Sequence, residues 1–165
     1  MEYTIRKVAF TEDRLIQNIK EMLLFLRKDY PDFSNWFDTK VKTGLEPEAR
    51  KIYIASPVTD LNQIAGIMIL KNTSEEKKIC TLCVLAPDQR QGIGRCFLQL
   101  AISVLQTPRP LITVSDDQKP AFDPLLRAFG FVCKQSYFGY YRDGVCEHSY
   151  NGALQEQRHR RVAYG

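Results

Sequence analysis

The chain has 165 residues, 44% of them hydrophobic and 25% charged, with a formal net charge of +4. That length suits one domain with an adequate core, the ordinary charged fraction excludes wholesale disorder, and no apolar run approaches the roughly 18 residues of a membrane-spanning helix. Half of the positive excess sits in residues 154–165, where Arg158, Arg160 and Arg161 are opposed only by Glu156; the remaining body is too weakly basic for a dedicated nucleic-acid domain.

Residues 3–9 alternate and predict a first strand. Thr11 is a suitable N-cap, and Leu15, Ile16, Ile19, Met22, Leu23 and Leu26 follow at helical spacing as one apolar stripe. Tyr30-Pro31 ends that helix, because the residue before proline resists the α region. Ser34 is the expected cap of a second, short helix carrying Trp36, Phe37 and Val41 to about Gly44. Strands are predicted over 51–55, 64–70 and 78–85, the last two joined by a short polar hairpin segment. A helix from Gly92 to about Gln106 carries Phe97, Ala101, Val104 and Leu105 on one stripe. A buried strand follows at 111–114. A further helix is expected to be capped by Asp123, with Pro124 in its first position and Gly130 as its left-handed C-terminal residue. Strands over 131–138 and 145–150, with Arg142-Asp143-Gly144 as the turn signal, complete the order β-α-α-β-β-β-α-β-α-β-β. This is an α/β (α+β) pattern: one mixed sheet flanked by helices.

The five cysteines, Cys80, Cys83, Cys96, Cys133 and Cys146, form an odd set, and MEYTIRKVAF lacks the layout of a signal peptide. Reduced thiols and a cytoplasmic location are expected. Cys80 and Cys83 form a C-x-x-C pair. On a regular strand residues three apart point to opposite faces, which argues against a shared metal. No metal is expected.

The strand over 78–85, the loop over 86–91 and the helix opening at Gly92 carry the chemistry. A helix N-terminus offers unpaired N–H groups and a partial positive charge. Glycine at 92 and 94 lets phosphate oxygens approach those amides, and Gln89, Arg90 and Arg95 add donors or positive charge. No Lys-Ser/Thr follows these glycines as a Walker loop requires. A dinucleotide fingerprint would need glycine where Phe97 stands.

Leu82-Cys83-Val84, a proline-containing loop, and Gln89-x-x-Gly92-x-Gly94 before an amphipathic helix resemble motif A of the GNAT N-acetyltransferase superfamily. The run Leu125-Leu126-Arg127-Ala128-Phe129-Gly130-Phe131 is similar to that family's helix-to-strand ending. The resemblance covers residues 3 to about 150 and implies a domain over 1–152 with a basic tail over 153–165. It implies a GNAT-like, mostly antiparallel mixed sheet splayed between the fourth and fifth strands by a bulge near the end of the fourth. It also implies acetyl-CoA as co-substrate and direct acetyl transfer to an amine. Pantetheine would enter the gap between those strands like an extra strand along Leu82, Cys83, Val84 and Leu85, bonding to backbone groups near Cys83 and Leu85, with the Val84 N–H stabilising the tetrahedral oxyanion. The amides of Gln89, Arg90, Gln91, Gly92, Ile93, Gly94 and Arg95 would hold the pyrophosphate.

The sequence also departs from that pattern. Arg90 replaces a frequent glycine, which is free of strain only with negative φ at that position. Leu126 stands where the family often has a tyrosine that protonates the leaving thiolate. The asparagine often found after the fifth strand has no counterpart in Asp116-Asp117-Gln118-Lys119. Asp116, Tyr140 and His148 are the candidate catalytic substitutes. Two other readings remain open: an acyl-CoA-binding regulatory module, and a transferase acting on aminoacyl-tRNA through the tail. No membrane partner is expected, and the protein would be a monomer or homodimer.

Overall fold

The computed structural model describes residues 1–154; Glu156 and the three tail arginines lie outside the described residues. Seven strands form one sheet: β1 (Tyr3–Lys7), β2 (Arg50–Pro57), β3 (Gly66–Asn72), β4 (Lys77–Val84), β5 (Leu111–Ser115), β6 (Cys133–Phe138) and β7 (Cys146–Tyr150), in the order β1-β2-β3-β4-β5-β7-β6. Every pairing is antiparallel except β4 with β5. No helix among the described residues is long and apolar enough to cross a membrane.

The sheet separates two cores. On one face α4 (Ile93–Leu105) and α5 (Lys119–Ala128) pack Phe97, Leu98, Ala101, Leu105 and Leu126 against Met68, Leu70, Ile79, Ile112, Val114 and Tyr150. On the other face α1 (Asp13–Met22) and the segment around α2 (Phe33–Trp36) bury Ile16, Ile19, Leu23, Phe33, Trp36, Phe37 and Val41 against Ile52, Ile54, Ile67 and Ile69. The central strands β2 and β3 are apolar on both sides because both faces are covered, as two-sided burial demands. Gly66 permits close packing here: a Cβ on it would meet Phe97 Cε2 at 2.9 Å and the Cys83 carbonyl at 3.2 Å.

Helix starts differ from the sequence expectation. Thr11 and Ser34 do not cap: α1 begins at Asp13 and α2 at Phe33, neither with a side-chain cap. Glu12 instead accepts the Ala9 N–H and pairs with Arg6, holding the turn by a carboxylate rather than a hydroxyl. The helix after α2 continues through a wider, π-type turn over Phe37–Lys42 into α3 (Thr43–Leu45). Helix α5 begins at Lys119, with Pro120 in its first turn where no N–H is needed. Pro124 therefore lies inside the helix, and Asp123 accepts a hydrogen bond from the buried Tyr150 hydroxyl instead of capping. Gly130 follows α5 at φ +76°, as expected of a left-handed cap. The body extends to Leu154, which is buried against Leu111 and Tyr137 and donates its N–H to Tyr137 Oη at 2.9 Å.

Candidate active site

The parallel pairing of β4 with β5 covers only Lys78 opposite Leu111 and Ile79 opposite Ile112. Beyond it the strands part. The register between β3 and β4 shifts at the same place, with Ile69 opposite Thr81 but Leu70 opposite Ile79. Cys80 is the extra residue of this bulge, which lies mid-strand rather than near the end of β4, and a bulge twists a strand away from its neighbour. It also overturns the alternation expected of the C-x-x-C pair. One extra residue restores parity, so Cys80 and Cys83 both pack on the α1 face, while Ile79, Leu82 and Val84 pack on the α4 face. Neither cysteine is in a disulfide, the Arg50 guanidinium donates to Cys80 Sγ at 3.4 Å, and burial pushes the Cys83 thiol up.

Which backbone groups face the gap follows from the ladder. The Leu85 N–H donates to the Ala65 carbonyl at 2.9 Å. Alternation then turns Cys83 toward β3 as well, and directs the N–H and C=O of Leu82 and Val84 toward the gap. The Leu85 carbonyl accepts the Asp88 N–H, so Leu85 is occupied at both ends.

The loop after β4 is tied down at two points. Gln89 Nε2 donates to the Val84 carbonyl at 3.0 Å, and Tyr3 Oη donates to the buried Asp88 at 2.8 Å. Arg90 takes φ +62°, not the negative value that an unstrained arginine requires. The loop keeps the left-handed turn of a glycine and holds an arginine in it at a cost of about 1 kcal/mol. Gly92 caps α4 at φ +88° with no side-chain cap and with open space where a Cβ would stand. The Cys96 N–H makes the first bond of the helix, to the Gly92 carbonyl, so the amides of Ile93, Gly94 and Arg95 are left for a ligand. The Arg95 guanidinium stacks on Phe129 at 5.3 Å.

Asp116 and His148, separated by 32 residues, meet beyond β5. His148 Nε2–H donates to Asp116 Oδ1 at 2.5 Å, and the Ser136 hydroxyl donates to His148 Nδ1 at 2.8 Å. Asp116 also accepts the Cys146 N–H at 3.1 Å. These bonds hold the Asp116 carboxyl below the usual carboxylate range, the imidazole first. His148 shares the sheet face of Tyr150, and thus of α4 and α5. Leu126 is fully buried in that core.

No family model matches the chain, and no curated protein does. Solved structures match over nearly its whole length. A Desulfovibrio desulfuricans protein assigned as a GNAT-family acetyltransferase superposes with a TM-score of 0.68 at 16% identity, covering 90% of this chain and 97% of its own. NAA60 of Arabidopsis thaliana, solved with acetyl-CoA, gives 0.65 at 11% identity, covering 90% and 97%. The spermidine N-acetyltransferase of Vibrio cholerae, solved with CoA and spermine, gives 0.63 at 14% identity, covering 90% and 94%.

The chain has the GNAT fold.

On the α1 face of this GNAT fold lies a polar group that sequence reasoning missed. Glu147 is only 3% exposed. Tyr30 Oη donates to it at 3.1 Å, and the Thr113 hydroxyl is hydrogen-bonded both to it and to Tyr141. Burial raises its pKa to about 7, against the lowering effect of those bonds and of Lys78 and His148. The adjacent His148 is a familiar titrating side chain, but the signal for Glu147 lies in the alternation of β7, which buries it. Tyr140 stands on the same face between Tyr137 and Tyr141, with ring centroids 5.4 and 4.7 Å away. Its hydroxyl is buried without a hydrogen-bond partner among the described residues, and burial raises its pKa. Tyr140 is thus on the opposite sheet face from the Asp116–His148 pair, and the three candidates do not form one constellation.

Proposed function

We propose that the chain is an acetyl-CoA-dependent N-acetyltransferase that moves an acetyl group directly onto an amine. The observation that carries this reading is the continuity of two features. The backbone edge at Leu82 and Val84, left by the parting of β4 from β5, runs into the uncapped N-terminus of α4. Pantetheine bonds like a strand to the first, and the pyrophosphate sits on the amides of Ile93, Gly94 and Arg95. Acetyl-CoA or CoA is bound by structural neighbours of the same fold.

The chemistry follows from that seat. The Val84 N–H meets the oxyanion of the tetrahedral intermediate, and one such donor is worth about 3 kcal/mol. The amine nitrogen bonds to the carbonyl carbon, the C–S bond breaks, and CoA leaves as the thiolate. With Leu126 unable to donate a proton, His148, oriented by Asp116, is assigned to proton transfer on the coenzyme side. Tyr140 offers its free hydroxyl on the other face. The protein is read as cytoplasmic.

Gly94→Val tests the seat. Gly94 is not at positive φ, and a Cβ there meets only Leu125 Cδ2 at 3.3 Å, the far end of a flexible side chain, so the loss falls chiefly on the ligand. Calorimetry with acetyl-CoA is expected to show binding weakened at least about tenfold, and unchanged binding overturns the reading. The buried Leu126 favours a second reading, an acyl-CoA-binding module without turnover. Release of CoA with any amine excludes it.

A further inference from the structure

We infer that Glu147 is the group that takes the proton from the acceptor's ammonium, and that the acceptor reaches the thioester from the α1 face. The inference rests on the transferase reading above and adds a residue and a direction of approach to it.

The direction comes from the sheet. The free amides of α4 lie on the α4/α5 face, so a coenzyme seated there fills the gap from that side. Its thioester then points through the parted strands toward the other face. On that face β5 presents Thr113 and Ser115, since Ile112 and Val114 face α4. Ser115 pairs with Glu147 across β5 and β7. The parallel register carried forward from Ile79 and Ile112 sets Ser115 near the height of Leu82 and Cys83, just short of Val84 across the gap. Ser115 Oγ is itself buried and has no partner among the described residues, so a donor or acceptor there awaits a ligand.

A carboxylate at this height has the right surroundings for a proton acceptor. Tyr30 and Tyr141, edge to face at 5.2 Å, wall it with aromatic surface that also suits a cation. The charged and titratable groups around it are identifiable on each element. Lys78 faces it from β4, its Nζ donating to Tyr141 Oη at 3.5 Å. Asp29 lies beside Tyr30 and is paired with Arg142 of the β6–β7 connection at 3.3 Å. Arg142 is also paired with Asp117 beyond β5. Tyr137 opposes Glu147 from β6, and β5 contributes the hydroxyls of Thr113 and Ser115. Arg142 is thus engaged by two carboxylates, which leaves Glu147 free to exchange a proton.

R–NH3+ gives one proton to the Glu147 carboxylate, and the neutral amine forms the C–N bond. Collapse of the intermediate breaks the C–S bond. The remaining surplus N–H proton passes to the thiolate, giving CoA–SH, and Glu147 returns its proton to solvent.

The test is Glu147→Gln, which keeps shape and most hydrogen bonds. Acetyl transfer to spermine, n-butylamine and glycinamide is followed against pH beside acetyl-CoA binding. The wild type is expected to show an acidic limb in kcat/KM near pH 7. The variant should bind acetyl-CoA normally and lose about 100-fold at pH 7, with the defect narrowing as the pH approaches that at which the amine sheds its own proton. A merely structural role would give a loss independent of pH. Tyr30→Phe, which keeps the carboxylate but removes a donor to it, should move the limb to higher pH. A variant with wild-type rate and limb, or a pH-independent loss, overturns the assignment while leaving the transferase reading intact. A wild type that releases no CoA with any amine overturns both.

Discussion

Gln89 Nε2 donates to the Val84 carbonyl at 3.0 Å, so the residue that begins the anion loop also fastens the end of the strand beside it. The bond removes the Val84 carbonyl from the gap and leaves the Val84 N–H pointing into it. Gln89→Ala frees both the carbonyl and the loop. A lost exposed hydrogen bond of this kind costs about 1 kcal/mol. Acetyl-CoA affinity by calorimetry should fall about fivefold, with thermal stability little changed.

Arg90 sits at φ +62° in the same loop. Arg90→Gly relieves the left-handed strain and should raise the unfolding free energy by up to about 1 kcal/mol, less the added freedom of the unfolded chain. Arg90→Val should do the reverse, since a β-branched residue tolerates that region worst. Urea midpoints of the two variants on opposite sides of the wild type are the expected outcome.

Gly66 sets the distance between β3 and α4. Gly66→Ala places a Cβ at 2.9 Å from Phe97 Cε2, 3.2 Å from Ile93 Cγ2 and 3.2 Å from the Cys83 carbonyl. Overpacking of a fixed backbone neighbour costs about 1–3 kcal/mol. Because Ile93 opens α4, the variant should also weaken acetyl-CoA binding, which separates it from an ordinary core substitution.

Glu147 makes a prediction about stability that is independent of catalysis. Its pKa is about 7 in the fold, chiefly through burial, against an ordinary value near 4.5. Between those values the unfolded chain has released the proton that the folded chain still holds. The fold therefore loses stability as pH rises through this window, by on the order of 3 kcal/mol. Glu147→Gln removes that slope. Unfolding free energies at pH 5 and pH 8 should diverge between the two proteins, the variant gaining relative to the wild type at pH 8; parallel profiles refute the buried carboxylate.

What depends on neighbours along the chain is legible in the order of residues. Helical stripes such as Ile16, Ile19 and Leu23, or Phe97, Ala101 and Leu105, give the elements and their order. The spacing of Gln89, Gly92 and Gly94 gives the uncapped helix start, because a glycine requirement and a helix terminus are both local. Caps were less legible: Thr11 and Ser34 have the right chemistry, but Glu12 and the packing of Phe33 chose other boundaries. What depends on strand pairing emerges with the folded sheet. The bulge at Cys80 is a mismatch between β3 and β4, and it alone turns Cys80 and Cys83 to one face. The pairing of β5 with β7 joins Asp116 to His148, buries Glu147 beneath Tyr30 and leaves Tyr140 on the far side of the sheet. Side-chain alternation can be read from one strand; which face is covered, and by what, is set by contacts between residues distant in the chain.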